Sequence, residues 1–213
     1  MIKIFLISMP FLLLGLAAFA QEFKPIELPK PDTSGGKPLM QVLKERHSTR
    51  EFSADTLTLP VLANLLWAAC GINRADAAKR TAPSAMNSQE IDVYVAMANG
   101  LYLYEPEAHT LIPILSDDIR GKTGGQPFVK DVPVNLLYVA DYSRVNRGSD
   151  SDKVFYSAAD AAFIAENVYL FCASEGLATV VRGSVDRSEL AKVMKLRPEQ
   201  KIILAQSVGY PKK

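Results

Sequence analysis

Val134–Ala140 reads Val-Asn-Leu-Leu-Tyr-Val-Ala, a nearly continuous apolar run. A strand of that kind suits the middle of a sheet, with neighbours on both edges. Candidate neighbours lie on both sides of it in the chain. Ile91–Met97 and Leu101–Tyr104 alternate as strands around Asn99-Gly100, a strong hairpin signal. Residues His109–Ile114 continue that meander, with His109 read as a turn residue and given no catalytic part. Downstream, Leu177–Val181 and Lys201–Val208 read as two further strands.

Helices separate these strands. Leu59–Gly71 carries Pro60 in its first turn, apolar residues at helical spacing and a glycine stop. Trp67 falls inside it and is read as core. Asp152–Glu175 is the longest helix, with Ala158, Ala161, Ala162 and Ala165 on a broad face and Gly176 as its stop. A face so rich in alanine lets a neighbour approach closely, and another subunit is one such neighbour. Ser184–Glu189 opens a short helix, with Asp186 and Glu189 suited to its N-terminal turn.

Residues 1–20 have the form of a cleaved signal peptide. Lys3 is the one charge, Ile4–Phe19 is almost wholly apolar, and Ala18-Phe19-Ala20 is a small-x-small cleavage site. An uncleaved anchor is the competing reading, since the apolar run nears bilayer-spanning length. Pro10, Gly15 and the Ala-x-Ala before Gln21 favour cleavage, so the mature protein is expected to be exported, periplasmic or secreted, without a stable membrane span. Residues 21–37 form a proline-rich leader that reads as a tether or arm, and the folded domain is expected over 38–213.

Removing 20 residues from 213 leaves 193, enough for one domain with a full core. The net charge of +1 argues against a nucleic-acid partner, because neutralising phosphates needs a basic face. Cys70 and Cys172 are the only cysteines and do not make a disulfide framework. With only His47 and His109 beside them, no metal-ligand spacing is present.

Against that near-neutral background, Arg46-His47-Ser48-Thr49-Arg50 concentrates two guanidiniums, an imidazole and two hydroxyls. Arginine offers a fixed fork of donors suited to phosphate. A solvated helix end, with cations offsetting the dipole, is the plainer alternative. Arg80–Gln89 is a loop of small polar residues in which Ser84 and Asn87 could serve a planar heterocycle. Gly121–Gln126 contains glycines but lacks the ending of a nucleotide P-loop.

In shared order, Arg46–Arg50, Pro83–Gln89, Gly176-Leu177 with Arg182-Gly183, and Gly209-Tyr210-Pro211 resemble the nitroreductase family of FMN-dependent oxidoreductases. The hairpin Gly100–Pro106 followed by His109 is similar to the branch that includes the azoline dehydrogenases. The resemblance implies an α+β three-layer sandwich, with a mainly antiparallel sheet between helices, and a homodimer with flavin sites at its interface. It implies that Arg46, Ser48 and Arg50, with His47, bind the FMN phosphate and ribityl chain. Pro83, Ser84, Ala85 and Asn87 would reach the flavin from the second subunit, Gln126 would read its pyrimidine edge, and Arg182 and Gly183 would lie along it. The implied activity is hydride transfer through flavin N5, from a donor such as NAD(P)H to a nitroaromatic or quinone. A flavin-dependent dehydrogenase and a non-catalytic flavin-binding module are the alternatives. Val129 stands where many members carry lysine, and the chain stops at Lys212-Lys213, so only these could supply a basic tail contact.

Overall fold

A computed structural model describes residues 23–212, so the export segment lies outside the described residues. In chain order the main elements are β1 (Ile26–Glu27), α1 (Leu39–Glu45), α2 (Leu59–Cys70), β2 (Ile72–Arg74), β3 (Lys79–Arg80), β4 (Ile91–Met97), β5 (Gly100–Glu105) and β6 (Thr110–Leu115). After these come β7 (Val134–Asp141), α3 (Asp150–Glu175), β8 (Ala178–Arg182), α4 (Arg187–Val193) and β9 (Gln200–Gly209). Seven strands form one sheet in the order β1-β6-β5-β4-β7-β9-β8, every pair antiparallel. The apolar strand β7 sits inside it, between β4 and β9.

Both faces of the sheet are covered, which is why β7 is apolar at consecutive positions rather than alternate ones. Val93, Val95, Leu136 and Tyr138 point to a core shared with α2 and α3. Their sequence neighbours Tyr94, Ala96, Leu137 and Val139 point the other way, onto Leu190 and Met194 at α4. Successive strand side chains alternate between faces, so one sheet carries two cores. The three-layer α+β sandwich follows from that alternation.

α3 is the longest helix, at 26 residues. It begins two residues before the sequence suggests, because Ser149 is its cap: the Ser149 hydroxyl accepts from the Asp152 N–H, and the Asp152 carboxylate accepts from the Ser149 N–H. Gly176 closes the helix in the left-handed conformation, φ 69°. Cys70 and Cys172 are buried free thiols.

The leader is seated over residues 23–37 rather than free. Its β1 pairs with Leu111 and Thr110 of β6, covering a sheet edge that would otherwise expose unpaired backbone groups. Leu28 is buried, and the Phe23 and Tyr102 rings lie 5.0 Å apart. His109 holds the next turn. Its Nε2 lies 3.1 Å from the Pro29 carbonyl, which can only accept, so that nitrogen carries the proton. Nδ1 is then left to accept from the Tyr104 hydroxyl at 2.9 Å. Two prolines on either side of Leu28 hide this strand from a compositional reading, although proline tolerates an edge position.

Candidate functional site

The Arg46–Arg50 stretch leaves α1 and runs past β8, an edge strand of the sheet. The Thr49 N–H donates to the Thr179 carbonyl at 3.0 Å, and Phe52 then bridges to Pro211. This pairing brings the chain end back: Lys212 N–H donates to the Glu51 carbonyl at 3.3 Å. Arg50, Lys212, Phe52 and Phe128 line a cavity of about 480 Å3, which Glu51 and Asp131 also line. Lys213 is outside the described residues.

The other members of the stretch are placed differently. His47 Nδ1 donates to the Glu45 carbonyl at 2.7 Å, capping the last turn of α1. The helix-end explanation therefore accounts for His47. Ser48 Oγ is hydrogen-bonded at 2.7 Å to the Tyr169 hydroxyl, which also accepts from the Val181 N–H at 2.9 Å. Arg46 lies 5.3 Å over the Tyr169 ring and 4.0 Å from Glu166, a half-exposed ion pair of small energetic weight.

The Pro83–Gln89 loop carries three residues in the left-handed region: Met86 at φ 54°, Asn87 at 55° and Gln89 at 48°. Such a cluster of non-glycine residues persists only where surrounding bonds fix it. Here the Gln89 N–H donates to Ser84 Oγ at 3.0 Å, the Gln89 amide donates to the Ala78 carbonyl at 3.0 Å, and the Ala85 N–H donates to Asp160 Oδ2 at 2.8 Å. Met86 and Asn87 are left on the outside. Pro83 is exposed, while Ser84 and Ala85 are half-buried.

Beneath this loop two acids meet. Asp160 is 2% exposed and Glu90 is 1% exposed, and they stand close enough for the Glu90 carboxyl to act on Asp160. Burial and then the Glu90 carboxyl push Asp160 up to about 6, against the Ala85 N–H, which favours the charged form. Both Glu90 oxygens and the Ser157 hydroxyl have no partner among the described residues.

The third part of the site is the glycine loop before β7. Gly124, Gly125, Gly183 and Ser184 wall a cavity of about 470 Å3. A Cβ added at Gly183 would meet nothing, so its backbone is open. Gln126 Oε1 is buried without a partner among the described residues. Arg182 turns inward instead of lining the opening. It donates to the Thr123 carbonyl at 2.7 Å and to Asn135 Oδ1 at 2.9 Å, and its Nε lies 3.2 Å from Ser207 Oγ. Burial lowers its guanidinium to about 10. Val129 is buried and offers its carbonyl to the Asn135 amide at 2.8 Å.

Two of these parts flank α3. Asp160 and Tyr169 are nine residues apart, about two and a half turns, which puts them on opposite sides of the helix and about 14 Å apart along it. Within one chain, then, the Pro83–Asn87 loop and Ser48 attach to opposite flanks of α3. Between the flanks, facing away from the core, lie Phe155, 68% exposed, and Phe163, 48% exposed, with exposed Ala162 and Glu166. At α1, which lies against α3, Leu39, Met40 and Leu43 are exposed as well.

Sequence reasoning did not find Asp160, Glu90, Tyr169 or the Thr123–Asn135–Ser207 cradle of Arg182. Each acts on a partner far away in the chain, and no local spacing signals such a contact.

An antiparallel sheet between helices, with the Pro83–Asn87 loop and Ser48 tied to α3, is an α+β sandwich of nitroreductase type. The chain belongs to the nitroreductase family, whose pattern it matches over residues 43–210. It is 31% identical over 182 residues to a protein of Methanocaldococcus jannaschii that carries the nitroreductase name provisionally, covering 81% of this chain and 91% of that one. It is also similar to the crystal structure of a provisionally named nitroreductase from Ralstonia eutropha JMP134. That likeness has 44% identity and a TM-score of 0.85, and covers 89% of this chain and 90% of that one. A chain of the Escherichia coli microcin synthetase complex shares the fold at 18% identity and a TM-score of 0.71, covering 99% of this chain and 85% of that one.

Proposed function

We propose that the protein is an exported, homodimeric FMN-dependent oxidoreductase that passes two electrons, as a hydride, from a donor such as NAD(P)H to a small nitroaromatic or quinone acceptor. The observation that carries the reading is Gln126 Oε1, buried and without a partner among the described residues, next to Gly124, which with Gly125 and Gly183 walls a cavity. An acceptor left unsatisfied in a protein interior costs about 1–3 kcal/mol unless something donates to it. The pyrimidine edge of a flavin offers one N–H flanked by carbonyls, and glycine walls let a planar ring lie against backbone. Elsewhere Arg46, Ser48 and Arg50 offer donors of the kind that suits a phosphate, and Lys212 shares a cavity with Arg50, alongside Glu51 and Asp131. The residues present therefore fit FMN.

When bound, FMN supplies hydride chemistry at N5; the chain positions it. Gln126 would fix the ring's pyrimidine edge, Gly183 would present bare backbone beside it, and Arg46, Ser48 and Arg50 would hold the phosphate end. Pro83, Ser84, Ala85 and Asn87 would close the site from the second subunit. The opposite attachment of Ser48 and the Pro83–Asn87 loop on α3, with an exposed apolar stripe between, supports that arrangement. A second copy docked on the stripe would carry its loop toward the first copy's Ser48 side.

Purification tests the function. The reading predicts a yellow protein that releases FMN and bleaches when NADPH is added under argon. A colourless protein that takes up no FMN contradicts it, and a yellow protein that does not bleach contradicts the choice of donor. Export is checked by intact mass of the native protein, expected to begin at Gln21.

A further inference from the structure

A separate cavity, of about 600 Å3, opens between residues 86–88 and the turn after β7. Asn87, Ser88, Ser143 and Asn146 give it neutral polar walls, and Arg144 and Arg147 give it two guanidiniums. No carboxylate lines it. The two cations are not equivalent. Arg144 is fixed by Asp92 Oδ1 at 2.7 Å and by the Glu90 carbonyl at 2.8 Å, so Asp92 balances its charge. Its Nε remains a buried donor without a partner. Arg147 is exposed and makes no ion pair or side-chain hydrogen bond among the described residues. The cavity therefore carries one uncompensated positive charge together with a surplus of neutral donors. Its loop wall is rigid: Met86 and Asn87 are held at positive φ by the bonds of Ser84, Gln89 and Asp160.

We propose that this cavity binds the carboxylate of a small molecule that reacts at the adjoining redox site, with Arg147 as counter-cation and Asn87 and Ser88 as neutral donors. One free positive charge matches a monoanionic carboxylate better than a dianionic phosphate, which would be left half compensated. The stacking partner would be a planar ring small enough for the cavity, with its acid group turned away from the ring-binding side. The inference rests on the function proposed above for what lies next to the loop, but not for the chemistry of the anion.

The test is calorimetric titration of the purified dimer with three non-reacting probes that share one ring: 2-naphthoate, its methyl ester and 2-naphthyl phosphate. The acid should bind the wild type about tenfold more tightly than the ester, the worth of one charge-assisted hydrogen bond. Arg147→Gln should abolish that preference and leave the ester's affinity unchanged, whereas Arg147→Lys should keep part of it. Because Arg147 is exposed and makes no bond, these variants are expected to fold as the wild type. Equal binding of acid and ester, a preference that survives Arg147→Gln, or tighter binding of the phosphate than of the acid would each overturn the proposal. FMN content and bleaching are measured on the same samples. Loss of discrimination in a yellow, bleachable protein refutes the carboxylate site alone; discrimination in a protein that holds no FMN refutes the redox reading alone.

Discussion

Arg182 donates to Asn135 Oδ1 at 2.9 Å from a position where its acceptors are all neutral: Asn135, Thr123 and Ser207. A buried cation without a counter-charge is costly unless its hydrogen bonds are complete. The network explains a constraint at Gly124, where an added Cβ would stand 1.9 Å from the guanidinium and 3.0 Å from Gln126 Oε1. Gly124→Ala should force Arg182 out of its cradle and cost about 1–3 kcal/mol, in the range of overpacked cores. Thermal denaturation checks this. An unchanged midpoint would mean that Arg182 moves freely, contrary to the bonding described.

The Asp160 carboxyl should leave a pH signature of unusual sign. Its folded value, about 6, lies above the ordinary 3.8, so the native chain holds a proton that the unfolded chain releases between those values. Its stabilising contribution is complete below about pH 4 and is lost as pH rises through 6. Glu90 and the Ala85 N–H face it directly, and Arg80 and Cys70 line the same small cavity. Asp118, held low by Arg120, acts in the opposite direction, losing its contribution in acid. Comparing wild type with Asp160→Asn isolates the effect: relative to the wild type, the variant should gain stability as pH rises from 4 to 7. Parallel curves for the two proteins would rule out the raised carboxyl.

The apolar stripe on α3 should be an interface. Phe163 and Ala162 lie on the exposed side, and a carboxylate there would be desolvated by a docked subunit. Ala162→Glu is expected to shift the mass in sedimentation from dimer to monomer without unfolding the chain, since position 162 is outside the core. A wild type that sediments as a monomer with FMN bound would contradict the two-subunit site.

The main strands and the long helices α2 and α3 were legible because each declares itself locally. Val134–Ala140 is apolar at successive positions, Asn99-Gly100 makes a tight turn, and Pro60 and Gly176 mark helix ends. Short pieces that exist only by pairing were not. Ile26–Glu27 is a strand only because β6 offers an edge, and Ile72–Arg74 pairs with Lys79–Arg80 across a turn with little apolar signal. The same division holds for the site. Arg46 and Arg50 stand out by charge against a neutral background, yet the sequence could not separate His47, which caps α1, from its neighbours. Nor could it show that Arg182 faces inward, because that depends on acceptors at positions 123, 135 and 207. Lys212 comes beside Arg50 through the Phe52–Pro211 bridge and its own bond to the Glu51 carbonyl.

The central claim is that Arg46 and Arg50 hold a phosphate. Charge-assisted hydrogen bonds of about 1.5–3 kcal/mol each imply that Arg46→Ala or Arg50→Ala weakens FMN binding about ten- to a hundredfold. Riboflavin, with the same ring and no phosphate, should bind the wild-type apoprotein poorly and be nearly indifferent to either change. Titrating both ligands into the apo forms of the three proteins is the most direct measurement. The account predicts a loss of FMN affinity with riboflavin affinity unmoved; equal FMN affinity in wild type and both variants would contradict it.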